Sequence, residues 1–127
     1  METKITRKSR QRDAVIEFLK STTTHPTAYD VYEKIRESYP NISLGTVYRN
    51  LALLASEGDI LELSGANGQA HFDGNVSPHS HFFCQKCGKI YDVFDDEYPI
   101  PPSLEGKDVK TVSIAYYGVC EACKNKE

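Results

Sequence analysis

The 127-residue sequence predicts an α+β chain in two parts: three helices closed by a β-hairpin, the order of a winged helix-turn-helix, and then a small β-rich unit. Three observations predict it. Apolar residues recur at helical spacing in three runs before residue 58, each preceded by a residue suited to capping. Two short alternating stretches follow, separated by a turn at Gly65, Asn67 and Gly68. Beyond them β-forming residues predominate, and the only four cysteines appear as the pairs Cys84/Cys87 and Cys120/Cys123. The expected division is 1–70 and 71–127.

In the first run, RQRDAVIEFLKS, Val15, Phe18 and Leu19 share a helical face and Ser9 is the expected N-cap. After TTTHP, Thr27 caps a second helix with Ala28, Val31, Tyr32 and Ile35 along its apolar stripe, stopped before Pro40. The third, SLGTVYRNLALLASEG, starts at Ser43, repeats Leu44, Val47, Leu51 and Leu54, and ends at Gly58. DILELSGANGQAHFD then reads as a hairpin.

With Val47, Leu51 and Leu54 turned inward, Arg49 points outward, because two residues rotate a helix by roughly 200°. Tyr48 lies on the flank, and Thr46 sits in the first turn, where a recognition helix meets base edges. A solvated face would look the same. Charge placement favours DNA: the net charge of −3 excludes a uniformly basic coat, but residues 1–12 carry Lys4, Arg7, Lys8, Arg10 and Arg12 against Glu2, five minus one, or +4. Arg7, Arg12, Thr46, Tyr48 and Arg49 are therefore the candidate DNA-contacting residues.

In the second part, HSHFFC, KIYDVF and VSIAYYGVC are the expected strands, interrupted by the Pro-rich EYPIPPSLEG. No apolar run reaches the roughly 18 residues of a membrane span, and METKITRKSR lacks a signal-peptide core, so a reducing cytoplasm is expected. Paired thiols there read as metal or redox groups rather than disulfides. CQKC and CEAC each let two thiolates grip one ion from a tight turn, and four thiolates suit tetrahedral zinc. The 32 residues between the pairs must fold back as strands to close such a site. Two disulfides and a rubredoxin-type iron site are the competing readings.

Three of the four histidines, His71, His79 and His81, lie within eleven residues. His79 and His81 project to one face of a strand, as do His71 and Asp73. Asp92 follows the first cysteine pair, and His25 precedes the second helix. Together His25, Asp73, His79, His81 and Asp92 offer three imidazoles and two carboxylates, a set suited to iron(II) or manganese(II) that zinc and cobalt would also fill. A metal drawing on both parts would act as a switch. Taken singly, each residue has a plainer explanation: Asp73 before Gly74 suits a turn. A metallohydrolase and a zinc-ribbon interaction module are readings from other classes. The first lacks a recognisable general base, and the second leaves His25 unexplained.

The ordered set HPTAYDVY, SLGTVYRNL, HFD, HSHFFCQKCGKIYDV and YGVCEAC resembles the ferric uptake regulator (Fur) family over nearly the whole chain. The resemblance implies a homodimeric winged-helix repressor of double-stranded operator DNA, not an enzyme, with a C-terminal dimerisation and metal-sensing domain. It implies structural zinc on Cys84, Cys87, Cys120 and Cys123 and a regulatory iron(II) or manganese(II) on His25, Asp73, His79, His81 and Asp92. Tyr48 and Arg49 match the recognition-helix pair. Asp rather than Glu at position 92 is the mark of the family's peroxide-responsive branch, in which iron-catalysed oxidation of a His ligand, matched by His25 and His79, releases the repressor from DNA. The alternative within the family is an iron, manganese or zinc uptake regulator without peroxide sensing. The chain departs from the family in two places. KTVSIAYYGVC lacks the His residues of an additional metal site, and EYPIPPSLEG replaces a helix between sensor strands. His71 is a possible extra or substitute ligand.

Overall fold

The computed structural model describes residues 7–65, 67–77, 79–94, 101–109 and 114–126, with the side chains of residues 7 and 8 left aside. Its described residues form two compact units, the first comprising 1–64 and 69–76, the second 65–68 and 77–127.

The first unit holds α1 (Arg7–Ser21), α2 (Ala28–Ile35), α3 (Leu44–Ser56), β1 (Leu61–Ser64) and β2 (Ala70–Asp73). The expected N-cap at Ser9 is wrong. The chain is already helical at Arg7, and Ser9 lies within α1, its hydroxyl accepting from Arg12 at 3.4 Å. The first apolar stripe begins well inside the helix, so the pattern could not locate its start. Lys4 of the basic arm lies outside the described residues, as does the Arg7 side chain.

The two later caps form as expected. Thr27 makes a full capping box: its hydroxyl accepts from Asp30 N at 3.2 Å, and the Asp30 carboxylate accepts from Thr27 N at 3.1 Å. Ser43 Oγ accepts from Thr46 N at 3.1 Å. The helices enclose one apolar core of Val15, Leu19, Ala28, Val31, Ile35, Val47, Leu51 and Leu54, to which Ile42, Ile60 and Phe72 add.

β1 and β2 pair antiparallel, with Leu61 opposite Asp73 and Leu63 opposite His71. Because β2 pairs with β1, residues 69–76 group with the first unit, while 65–68 group with the second. Gly74, next after β2, approaches α1 so closely that a Cβ would lie 2.5 Å from the Leu19 carbonyl carbon. Only glycine fits there without displacing main chain.

The second unit holds β3 (Ser80–Cys84), β4 (Ile90–Val93), β5 (Ala115–Gly118) and the short α4 (Glu121–Lys124). Its sheet has the order β4-β3-β5, with β4 antiparallel and β5 parallel to β3. The parallel pairing sets Cys84 opposite Gly118, and Gln85 N donates to Gly118 O at 2.7 Å. That register carries the second cysteine pair to the first. Of EYPIPPSLEG, residues 97–100 lie outside the described part, and the remainder contains a single 3₁₀ turn, Pro102–Leu104. Residues 112 and 113 of the expected third strand are likewise outside it. Among the described residues no helix is long and apolar enough to cross a membrane.

Candidate metal centres

The four cysteines come from two turns. Cys84 ends β3 and Cys87 follows in the knuckle, where Gly88 takes a φ of 79° and donates its N–H to Cys84 O at 3.0 Å. Cys120 caps α4, and Cys123 lies one turn along it. All four thiols are unoxidised, which rules out the disulfide reading for this structure. Cys84 Sγ lies 3.8 Å from Cys123 Sγ, Cys87 Sγ lies 3.8 Å from Cys120 Sγ, and the four sulfurs fall within 4.8 Å of one another. Zinc–sulfur bonds of about 2.3 Å in a tetrahedron require edges of about 3.8 Å. The sulfurs stand where zinc needs them.

The electrostatics make the same demand. The N–H groups of Cys87 and Cys120 point at Cys84 Sγ, each at 3.4 Å, and hold that thiol down at about 5. Tyr91 donates to Cys120, which lowers the Cys120 thiol and pushes Tyr91 up to about 12. The adjacent Cys120, together with burial, pushes Cys123 up to about 12. Four sulfurs this close cannot all be thiolates without a cation among them, and a divalent ion supplies it. Tyr91 was not anticipated from the sequence, because its role depends on β4 lying beside the second cysteine pair.

The nitrogen and oxygen donors fall into two groups, one in each unit. In the first, His25 Nε2 lies 3.5 Å from Asp73 Oδ2, both side chains almost fully buried. Asp73 also does the plain work expected of it, since its Oδ1 accepts from Asn75 N at 2.9 Å and closes the turn after β2. His25 has a φ of +53°, the only non-glycine residue with positive φ among those described. Such a backbone costs on the order of 1–3 kcal/mol and persists where surrounding contacts impose it. His71 has one ring nitrogen engaged: its Nδ1 lies 2.7 Å from the His25 carbonyl oxygen.

In the second unit Asp92 stands opposite His81 in the β3–β4 register. Asp92 Oδ1 lies 3.1 Å from His79 Nε2 and 3.3 Å from His81 Nε2, and both imidazoles are buried. His79 Nδ1 lies 2.8 Å from Ser77 O. A carbonyl only accepts, so Nδ1 carries a proton, and in neutral His79 the Nε2 lone pair faces a carboxylate oxygen. Two lone pairs at that distance repel unless a proton or a metal cation lies between them, so the donor set fits a cation. Phe94, stacked on His79 at 5.0 Å, and the Ser77 carbonyl orient this imidazole. Residue spacing marks neither contact, since a main-chain acceptor leaves no mark in a sequence.

On α3, Tyr48 and Arg49 are exposed as expected, and Thr46 is partly buried. Arg49 Nη2 donates to Thr46 Oγ1 at 3.0 Å, and Thr46 Oγ1 lies 2.9 Å from Ser43 Oγ. The guanidinium is thus held back over the start of α3. Arg12 is partly buried and turned toward Ser9.

The ferric uptake regulator family model matches residues 3–115 of this chain. The peroxide operon regulator of Bacillus subtilis is 36% identical over 121 residues, spanning 92% of this chain and 83% of its own length. The peroxide-responsive repressor PerR of Staphylococcus aureus is 35% identical over 123 residues, 91% of this chain and 81% of that one. Among solved structures, the peroxide stress regulator of Campylobacter jejuni superposes with a TM-score of 0.74 at 31% identity, covering 92% of this chain and 91% of that one.

Proposed function

Because this chain belongs to the ferric uptake regulator family, we propose that it is a metal-dependent transcriptional repressor that senses hydrogen peroxide. The observation that carries the reading is the arrangement at Asp92, where one carboxylate faces two buried imidazoles, the His79 ring with its Nε2 turned toward it by Ser77 O. His25 and Asp73 are the donors of the first unit, and His79, His81 and Asp92 those of the second. A regulatory metal that draws on both stabilises whichever conformation brings them to it, and so couples metal to operator affinity. Iron(II) held by these residues would supply the redox chemistry that cleaves the peroxide O–O bond, with peroxide as the two-electron oxidant. One oxygen would be inserted into a ring C–H bond of His25 or His79, the hydrogen being retained, and the other would leave as water. The protein is consumed rather than turned over, so it is a regulator and not an enzyme.

In this reading Tyr48 and Arg49 contact operator DNA from α3, with Thr46 aligning Arg49, while Arg7 and Arg12 serve phosphate from the start of α1. The chain works as a homodimer in the cytoplasm, as the family resemblance implies. The four cysteines hold structural zinc.

The test is to load zinc-replete protein with iron(II), add hydrogen peroxide and digest for mass spectrometry. A one-oxygen gain on peptides holding His25 or His79, with loss of operator binding, is expected. Oxidation confined to cysteine or methionine overturns the mechanism. Metal-dependent operator binding that survives peroxide with iron bound would instead mark a plain iron, manganese or zinc regulator.

A further inference from the structure

We propose that His71 is a positioning residue that fixes the main chain of His25 and thereby pre-sets the first unit's donors for the regulatory metal. This rests on the metal-dependent reading above. His25 stands before Pro26 with a φ of +53°, a conformation that neither its own preference nor its neighbour's favours. What imposes it is β2. The His71 imidazole donates from Nδ1 to His25 O at 2.7 Å, since the carbonyl can only accept. The next main-chain group, Phe72 N, donates to Pro26 O at 2.9 Å. Two successive carbonyls of the loop are therefore held by two successive residues of one strand.

The next residue of that strand, Asp73, faces the other end of His25, with Oδ2 3.5 Å from Nε2. β2 thus grips His25 twice, by its main chain through His71 and by its imidazole through Asp73. The grip has a rigid base, because His71 and Asp73 lie opposite Leu63 and Leu61 in the β1–β2 ladder. His71 is also partly buried, which shields its bond from competing water. The sequence suggested His71 as a substitute ligand. With Nδ1 committed to the His25 carbonyl, His71 holds the main chain of a ligand, and only its Nε2 remains to meet a metal.

The test uses the full-length, zinc-replete protein with manganese(II) as the probe, comparing wild type, His71→Leu and His71→Asn. Zinc content and circular dichroism report folding. His71→Leu should weaken manganese binding by about ten- to hundredfold, the usual effect of losing a group that orients a ligand. His71→Asn should recover most of the affinity, because its amide nitrogen can stand where Nδ1 stood while nothing replaces Nε2. In the metal-free wild type, long-range proton–nitrogen correlation should place the His71 proton on Nδ1. The inference fails if His71→Asn binds as weakly as His71→Leu, which would make His71 a ligand through Nε2. Unchanged affinity in His71→Leu, or a proton on Nε2, would overturn it too. Wild type that binds no manganese, iron or cobalt would sink the regulatory-site reading, whatever the His71 tautomer.

Discussion

His79 Nε2 lies 3.1 Å from Asp92 Oδ1, and the opposite nitrogen of the same ring is already committed to Ser77 O. In the proposed reading the pair binds a cation, with the imidazole aimed by main chain and the carboxylate placed by the β3–β4 register. Asp92→Asn keeps the shape and removes the charge. It should lower manganese(II) affinity at least about tenfold while leaving zinc content intact, as titration calorimetry would report. Asp92→Glu lengthens the side chain toward two imidazoles already in contact with the carboxylate. By the family contrast at this position, it should retain metal-dependent operator binding but respond less to peroxide, as band-shift assays with iron bound would register.

The four-sulfur site predicts one zinc per chain and four thiols that resist alkylation until the metal is chelated. Apparent zinc affinities at such sites are about 10–16 kcal/mol, far more than a three-stranded sheet of this size supplies by burial. Stripping zinc, or Cys84→Ser, should remove the ordered signal of β3–β5. The helical signal of α1–α3 should survive, because their core contains no cysteine. Circular dichroism with backbone NMR checks both halves of that expectation.

Gly74→Ala should destabilise the first unit by roughly 1–3 kcal/mol, since the added methyl meets Leu19 main chain rather than a yielding side chain. The denaturation midpoint would measure it, and an unchanged midpoint would mean that β2 can move away from α1.

Ser43→Ala removes the α3 cap and loosens Thr46, which holds Arg49. The cap is worth about 1 kcal/mol, or roughly 4–8 °C in Tm for a unit of this size. Thr27→Ala should cost a similar amount by deleting the capping box on α2. Only the Ser43 change should also weaken operator binding beyond its effect on stability, which places the two variants in one controlled comparison.

Much of this was legible in the sequence because the signals were local. Thr27 and Ser43 announce helix starts through hydroxyls that reach N–H groups three residues on, and the stripe Val47, Leu51 and Leu54 has the period of one helix face. Ser9 misled for the same reason in reverse: a capping residue type inside a helix looks like one at its start. The paired cysteines and the close-set histidines were visible because scarce residue types stood at ligand spacing.

What the sequence determined by itself, then, was the order of elements, the composition of both candidate donor sets and the family, since each is written in residue type and short-range spacing. Tertiary structure alone decided how those donors are aimed. The parallel β3–β5 register brings the cysteine pairs to tetrahedral distances, and the Ser77 carbonyl turns His79 toward Asp92. His71 fastens the His25 main chain from 46 residues away. Each of those contacts depends on main-chain groups or on strands distant in sequence, and no side-chain pattern records where a carbonyl will point.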